Sequence, residues 1–235
     1  MPGGVTIDMN RQLSIVIPVL NEAGHLAARL QALQPLRDRC QLLLVDGGSC
    51  DGSTIIAEPW VDKVIDNPRG RARQMNAGAA QANADILLFL HADTQLPDNA
   101  VESMIQVIAD GYCWGRFDVA FDNPKPIFRL IAFMMNWRSR LTGIATGDQG
   151  IFVTRQAFDS VGAYPEVALM EDIAISARLK KLGKPCCLKA KVVTSARRWQ
   201  QYGIFRTILL MWRLRLAYFF GADPNDLAAR YYGRS

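Results

Sequence analysis

Residues 85–93 read DILLFLHAD, five consecutive apolar residues closed by His91 and then Asp93. An uninterrupted apolar run of this length between polar residues predicts a strand over Asp85–His91, buried on both faces. Its surroundings repeat the pattern. Upstream, Arg71–Ala82 predicts a helix, Lys63–Ile65 a short strand, and Gln41–Asp46 (QLLLVD) a buried strand broken by Gly47-Gly48. Farther back, Leu26, Leu30 and Leu33 recur at helical spacing before Pro35, and Ser14–Val19 predicts the first strand. Downstream, Val101–Ile108 predicts a helix. Buried strands alternating with helices give an α/β fold class with a mainly parallel, Rossmann-like central sheet flanked by helices. Ligands in such sheets bind beyond the carboxyl ends of the strands. Asn21-Glu22, Asp46 and His91/Asp93 lie just past those ends and are expected to converge on one crevice.

Beyond residue 110 the pattern is more mixed. Phe117–Phe121 and Gly150–Val153 read as strands, and Pro126–Trp137 (PIFRLIAFMMNW) as an apolar helix with proline at its first position. Ile175, Leu179 and Leu182 share a helical face ending at Gly183. Leu188, Ala190 and Val192 alternate with Lys189 and Lys191, as in a half-exposed strand. Ile204–Phe220 is expected to be the last strong helix.

The 235 residues are half apolar, enough for a sizeable core, and no repeat or linker divides them. Five cysteines, an odd number without CxxC spacing, argue against a disulfide framework or a zinc ribbon. With no basic-then-apolar leader pattern in the first dozen residues, a cytoplasmic location is expected. The net charge of +5 is uneven: Arg178–Ser235 carries 13 Lys/Arg against Asp223 and Asp226, leaving the rest at −6. The carboxy-terminal quarter is therefore expected to face something anionic, such as phosphates or the inner face of a membrane. No nucleic-acid recognition motif accompanies the charge, and no nucleic-acid partner is expected.

Asp93 can hold a hard divalent ion that bridges substrate phosphates, manganese or magnesium, and His91 stands two residues before it. Asp46 can accept hydrogen bonds from a base or ribose, while Gly47-Gly48 lets a ligand approach the backbone. Arg71 and Arg73 precede Asn76 near a helix start and suit phosphates. Glu171-Asp172 opens a helix and can supply a general base. Taken singly, each also has a purely structural reading: strand-end turn, loop, basic surface and helix-dipole partner.

Together, SIVIPVLNE (14–22), VDGGSCDGS (45–53), RGRARQMNAG (69–78), LLFLHADT (87–94), GDQGIFVTR (147–155) and MEDIAISARLKKLG (170–183) resemble family 2 glycosyltransferases of the GT-A fold. FLHADT and SARRW (195–199) look closest to a short bacterial subgroup associated with arsenosugar biosynthesis. The resemblance implies one domain over 1–235: a nucleotide-sugar-binding part (11–94), an acceptor-binding and catalytic part (95–199) and a helical extension (200–235). It implies that Pro18, Asn21, Glu22, Asp46, Arg71, Arg73, Asn76, His91 and Ala92 bind a nucleotide-sugar, with Asp46 on a uracil base. Asp93, with His91, would hold the metal. Asp172 would be the catalytic base with Glu171 beside it, and Asp148, Gln149, Arg198 and Trp199 would lie on the acceptor side.

Three departures stand out. Asp-x-Asp is replaced by His91-Ala92-Asp93, the paired acids after the second strand become Asp46-Gly47, and QxxRW is absent. The last favours a single, non-processive transfer; the mechanism expected for it is one direct displacement with inversion. The apolar helix near residues 115–150 hints at a lipid-like or small-molecule acceptor. Neither apolar helix reaches the ~18 residues needed to span a bilayer. Arg206 and Arg213 share a face of Ile204–Phe220 but Arg215 does not, so peripheral membrane contact, core packing and a homodimer interface all remain open. The rival readings are a nucleotidyltransferase, which lacks its Gly-rich loop here, and a non-catalytic nucleotide- or membrane-binding module.

Overall fold

The computed structural model describes residues 11–233; the expectation about the first dozen residues falls mostly outside that range. In chain order the elements are β1 (Leu13–Val19), α1 (Ala23–Ala32), β2 (Cys40–Asp46), α2 (Ser53–Ala57), β3 (Lys63–Asp66), α3 (Arg71–Gln81), β4 (Ile86–Phe89) and α4 (Ala100–Ala109). There follow β5 (Trp114–Phe121), α5 (Pro126–Thr142), β6 (Ile151–Thr154), α6 (Arg155–Ser160), α7 (Glu171–Leu179), β7 (Cys186–Thr194), α8 (Arg197–Tyr202), α9 (Ile204–Phe219) and α10 (Pro224–Tyr232).

The strands form one seven-stranded sheet in the order β3-β2-β1-β4-β6-β5-β7. It is parallel except for β6, which runs against both β4 and β5. Alternating side chains send β1 and β2 into two cores. Leu13, Ile15, Ile17, Leu42 and Leu44 pack with α1 and α4 on one face, and Val16, Leu43 and Val45 with α3 and α7 on the other. Gly78 lets α3 lie directly on this second face. A Cβ there would stand 2.3 Å from Val16 Cγ1 and 3.0 Å from Val45 Cγ2, so the close approach outweighs the ~1 kcal/mol that a mid-helix glycine costs.

α5 is fastened to β5 by a buried arginine. Arg116 donates to Ser139 Oγ and Asn136 O at 3.1 Å each and is paired with Asp118, which also takes Arg140 at 2.8 Å.

Four expectations are corrected. The strand predicted over Asp85–His91 is only β4, because the ladder with β6 ends at Phe89–Ile151. Leu90 still donates to Val16 O, and a turn closes from Thr94 N to His91 O, both at 3.0 Å. α7 stops at Leu179, and Leu182 is exposed in the tight turn that follows. Ile204–Phe220 is not the last helix: Asp223 caps α10 by accepting from Asn225 N at 2.7 Å, with Pro224 at its first position. Finally, despite Arg215, α9 carries an exposed apolar stripe of Phe205, Leu209, Trp212, Leu216 and Phe219. α5 carries a second, including Leu130, Phe133, Trp137 and Leu141. No helix among the described residues is long and apolar enough to cross a membrane.

Candidate active site

The carboxyl ends of β1, β2 and β4 lie together at one edge of the sheet, as the parallel pairing requires. Gln74 of α3 ties two of them by donating to Val19 O and Val45 O, each at 2.8 Å. That bond sets the start of α3, and Arg71 one turn earlier, over the strand ends.

Asp46 is 3% exposed. Its Oδ2 accepts from Gly48 N at 2.9 Å and Ser49 N at 2.8 Å, while its Oδ1 is buried with no partner among the described residues. Asn67, whose backbone N–H donates to Asp46 O at 2.9 Å, has a second partnerless buried Oδ1. Such acceptors are costly unless a donor reaches them. Asn21 sits at φ 55, donates to Ser49 Oγ at 2.8 Å and accepts from Cys50 N at 2.9 Å, so the β1 and β2 loops are locked together. Pro18 lies half-buried in β1, and Glu22 is held by Ser53 Oγ at 3.0 Å and Arg197 at 3.2 Å.

A second group gathers around the start of α7. Met170, at φ 70, turns the chain into that helix. Asp172 is half-buried; its Oδ2 accepts from Gly147 N at 3.0 Å and its Oδ1 from Ile173 N at 2.7 Å. Glu171 is 6% exposed, and burial together with the charge of Asp172 raises its pKa, against the pull of Arg71. Two carboxylates with diverging environments take different roles. Burial favours the neutral form of Glu171, and Asp172 is the more accessible carboxylate of the two.

His91 Nδ1 lies 3.2 Å from Asp148 Oδ1, and its ring covers Gly147, where a Cβ would stand 2.4 Å from Nε2. Burial would raise the Asp148 pKa, but His91, Arg71 and Arg215 lower it on balance. Arg71 is open to solvent at the lip of a crowded crevice. Desolvation there opposes its charge, yet Glu171, the Tyr231 and Tyr232 phenols and Asp148 hold its pKa up.

The remaining predicted residues divide. Asp93 accepts from Thr94 Oγ1 at 3.3 Å, and Ala92 beside it packs against the core. Arg73 pairs with Glu166 at 3.0 Å. Asn76 clamps the backbone of Tyr164 through bonds of 2.9 and 3.0 Å, and Gln149 is fully buried, accepting from Thr146 N at 3.1 Å. Arg198 stacks on Tyr231 at 3.8 Å, and Trp199 meets Phe121 edge-on at 5.8 Å. No group of three or more His, Cys, Asp or Glu suited to a metal occurs among the described residues. Asp93 therefore fits an ion that arrives with substrate phosphates, as magnesium-type ions do, better than a preformed protein cage.

Sequence reasoning missed Asn67, Tyr164 and Tyr231. Tyr164 is 3% exposed, and burial, Asp172 and Glu171 push its pKa well up. Its only sequence signal is an aromatic residue shortly before the acidic pair.

Residues 14–161 match the sequence pattern of the glycosyl transferase family 2. The chain belongs to that family. Undecaprenyl-phosphate 4-deoxy-4-formamido-L-arabinose transferase of Pseudomonas syringae pv. syringae is 32% identical over 163 residues, 59% of this chain and 45% of the relative. The family 2 chain thus spans less than half the length of that curated relative. Among solved structures, a mannosyltransferase from Pyrobaculum calidifontis, in complex with GDP-Man and Mn2+, superimposes with TM-score 0.64 at 18% identity. That match covers 88% of this chain and 61% of the other. Glucosyl-3-phosphoglycerate synthase from Mycobacterium tuberculosis, in complex with Mn2+, UDP and glucosyl-3-phosphoglycerate, gives TM-score 0.57 at 16% identity, covering 83% and 76%. These likenesses establish the GT-A type fold.

Proposed function

We propose that the chain transfers one sugar from a nucleotide-sugar, UDP-linked, to an acceptor in a single displacement with inversion. The observation that carries this reading is the gathering of Glu171-Asp172, His91–Asp148 and Arg71 at one rim, with the partnerless Asp46 oxygen beyond neighbouring strand ends.

In this reading Asp46 Oδ1 accepts from the base, and Pro18, Asn21 and Glu22 shape the loops around it. Arg71 lies against the diphosphate and neutralises it as it leaves. A divalent ion at Asp93, manganese or magnesium, would supply further positive charge to the same phosphates. Asp172, aimed by two backbone N–H groups, takes the proton of an acceptor hydroxyl as its oxygen attacks the anomeric carbon and the carbon–phosphate oxygen bond breaks. Glu171 and Asp148 set the field around it. Arg198 and Trp199 belong to the acceptor side, and Asn76 and Gln149 keep the flanking loops in place.

Two of the comparisons support an acceptor that bears a phosphate. One relative is named for undecaprenyl phosphate, and one neighbour holds a glycosylated phosphoglycerate. Both carry a phosphate. The exposed apolar stripes of α5 and α9, set among basic residues, suit peripheral contact with an anionic membrane surface. Absence of co-sedimentation with anionic liposomes at low salt would remove that part.

Titration calorimetry of UDP with manganese tests the donor assignment. Asp46→Asn keeps an oxygen for the Gly48 and Ser49 amides but can turn an NH2 toward the base, so affinity should fall by about tenfold or more. Unchanged affinity would take Asp46 out of the donor site.

A further inference from the structure

The fold shows how it satisfies a buried arginine, and one pair does not follow that example. Arg116 is fully buried and donates to a hydroxyl, two carbonyls and a carboxylate. Arg138, later on α5, has Nε and Nη2 sealed from solvent without a hydrogen-bond partner, and so has Nε of Arg215 on α9. The two helices contribute to one apolar cluster, Ile131 and Met135 from α5 and Ile204 and Ile208 from α9, with Ala196 and Trp199 in the same cluster. Arg138 continues the first stripe one turn on from Met135, and Arg215 the second, seven residues after Ile208. Two cations are thereby held near each other. Burial, then Arg215, pushes the Arg138 pKa down to about 10, while Asp172 acts in the opposite sense. Asp172 and Asp148 act on the pair through space, on Arg138 and Arg215 respectively, but neither accepts a hydrogen bond from the sealed nitrogens, and buried donors without an acceptor are unfavourable. Guanidinium groups in that state suit a dianionic, multi-acceptor ligand, and a phosphomonoester is one. Asp172 is close enough to act on Arg138, so the pair borders the carboxylate read above as the base.

We propose that Arg138 and Arg215 form the phosphate-binding part of the acceptor subsite, so that the acceptor carries a phosphomonoester seated between α5 and α9 beside Asp172. This rests on the reading of the crevice as a glycosyl-transfer site. The phosphate can belong to a lipid headgroup or to a small soluble molecule, and the exposed Trp212, Leu216 and Phe219 stand on the same helix as Arg215.

The test is binding, with no turnover needed, using farnesyl phosphate, farnesol, glycerol 3-phosphate and UDP with manganese as probes. The pair should bind farnesyl phosphate or glycerol 3-phosphate at least about tenfold more tightly than farnesol. Preference for the first identifies a lipid acceptor, and equal or better binding of the second a soluble one. Arg138→Met and Arg215→Leu should each weaken the phosphate probe by about tenfold or more, leave UDP within about twofold, and not lower the melting temperature. Arg215→Lys should restore part of the loss. If Arg138→Met fails to fold, Arg215→Leu reads the same site. Loss of UDP affinity with phosphate binding unchanged would place the pair on the donor and overturn the proposal, as would a wild-type protein that binds neither phosphomonoester. Wild-type protein that fails to bind UDP but binds farnesyl phosphate through these arginines would instead overturn the donor reading alone.

Discussion

Asp172→Asn is expected to lower glycosyl transfer to a hydroxyl acceptor by about 10³-fold, within the range a positioned general base contributes. The substitution keeps the shape of a side chain whose two oxygens accept from Gly147 N and Ile173 N. It removes the lone-pair basicity that takes the acceptor proton and leaves Asp46 and Arg71 untouched. UDP affinity should therefore stay within about twofold, and the loss should appear in kcat. Glu171→Gln should not mimic it, because burial and the neighbouring charge already keep Glu171 toward its protonated form. The acceptor also sets the size of the effect. A phosphate oxygen with a second pKa of about 6 is ionised before it attacks and needs no base. Wild-type turnover of Asp172→Asn with a hydroxyl acceptor would contradict the assignment.

Asp93→Ala is expected to abolish the manganese dependence of nucleotide-sugar binding. Asp93 carries a carboxylate whose one hydrogen bond among the described residues is the Thr94 hydroxyl at 3.3 Å. His91, the other sequence candidate for the ion, has Nδ1 against Asp148 and its Nε2 edge against Gly147. With a single protein carboxylate in place of two, the ion depends on the donor phosphates for most of its ligands, so its effect should vanish with Asp93. Calorimetry of UDP with and without manganese reads this directly. Wild-type protein should gain affinity from the ion, and Asp93→Ala should bind equally in both conditions. His91→Ala should retain most of the gain. A variant that kept the full manganese response would place the ion elsewhere.

The parallel half of the sheet was legible because its strands are buried on both faces, and burial leaves an unbroken apolar signature, as in QLLLVD and DILLFLH. The same logic located Asp46, His91 and Asp93, which are polar residues directly after such runs. What stayed hidden depends on partners distant in the chain. Asn76 reads as a polar residue near phosphate-binding arginines, yet its amide closes on the backbone of Tyr164, 88 residues away. Arg138 and Arg215 sit in two separate apolar helices far apart in the chain, and only the fold, in which both helices join one apolar cluster, brings their charges near each other. α10 escaped because nine residues give little periodicity, although Asp223-Pro224 announces its start. The exposed stripe of α9 was masked by its arginines, since a cation on the wrong face breaks a pattern that the helix itself tolerates by extending the side chain.

The most direct test of glycosyl transfer is product formation. Protein, manganese and a panel of UDP- and GDP-sugars are incubated with farnesyl phosphate or glycerol 3-phosphate, and both phases are analysed by mass spectrometry. The account predicts one acceptor gaining the mass of a single sugar, with a matching amount of nucleoside diphosphate, and loss of that product in Asp93→Ala. Tight nucleotide binding without hydrolysis or product from any donor would contradict it and make the chain a binding module that keeps the fold without the chemistry.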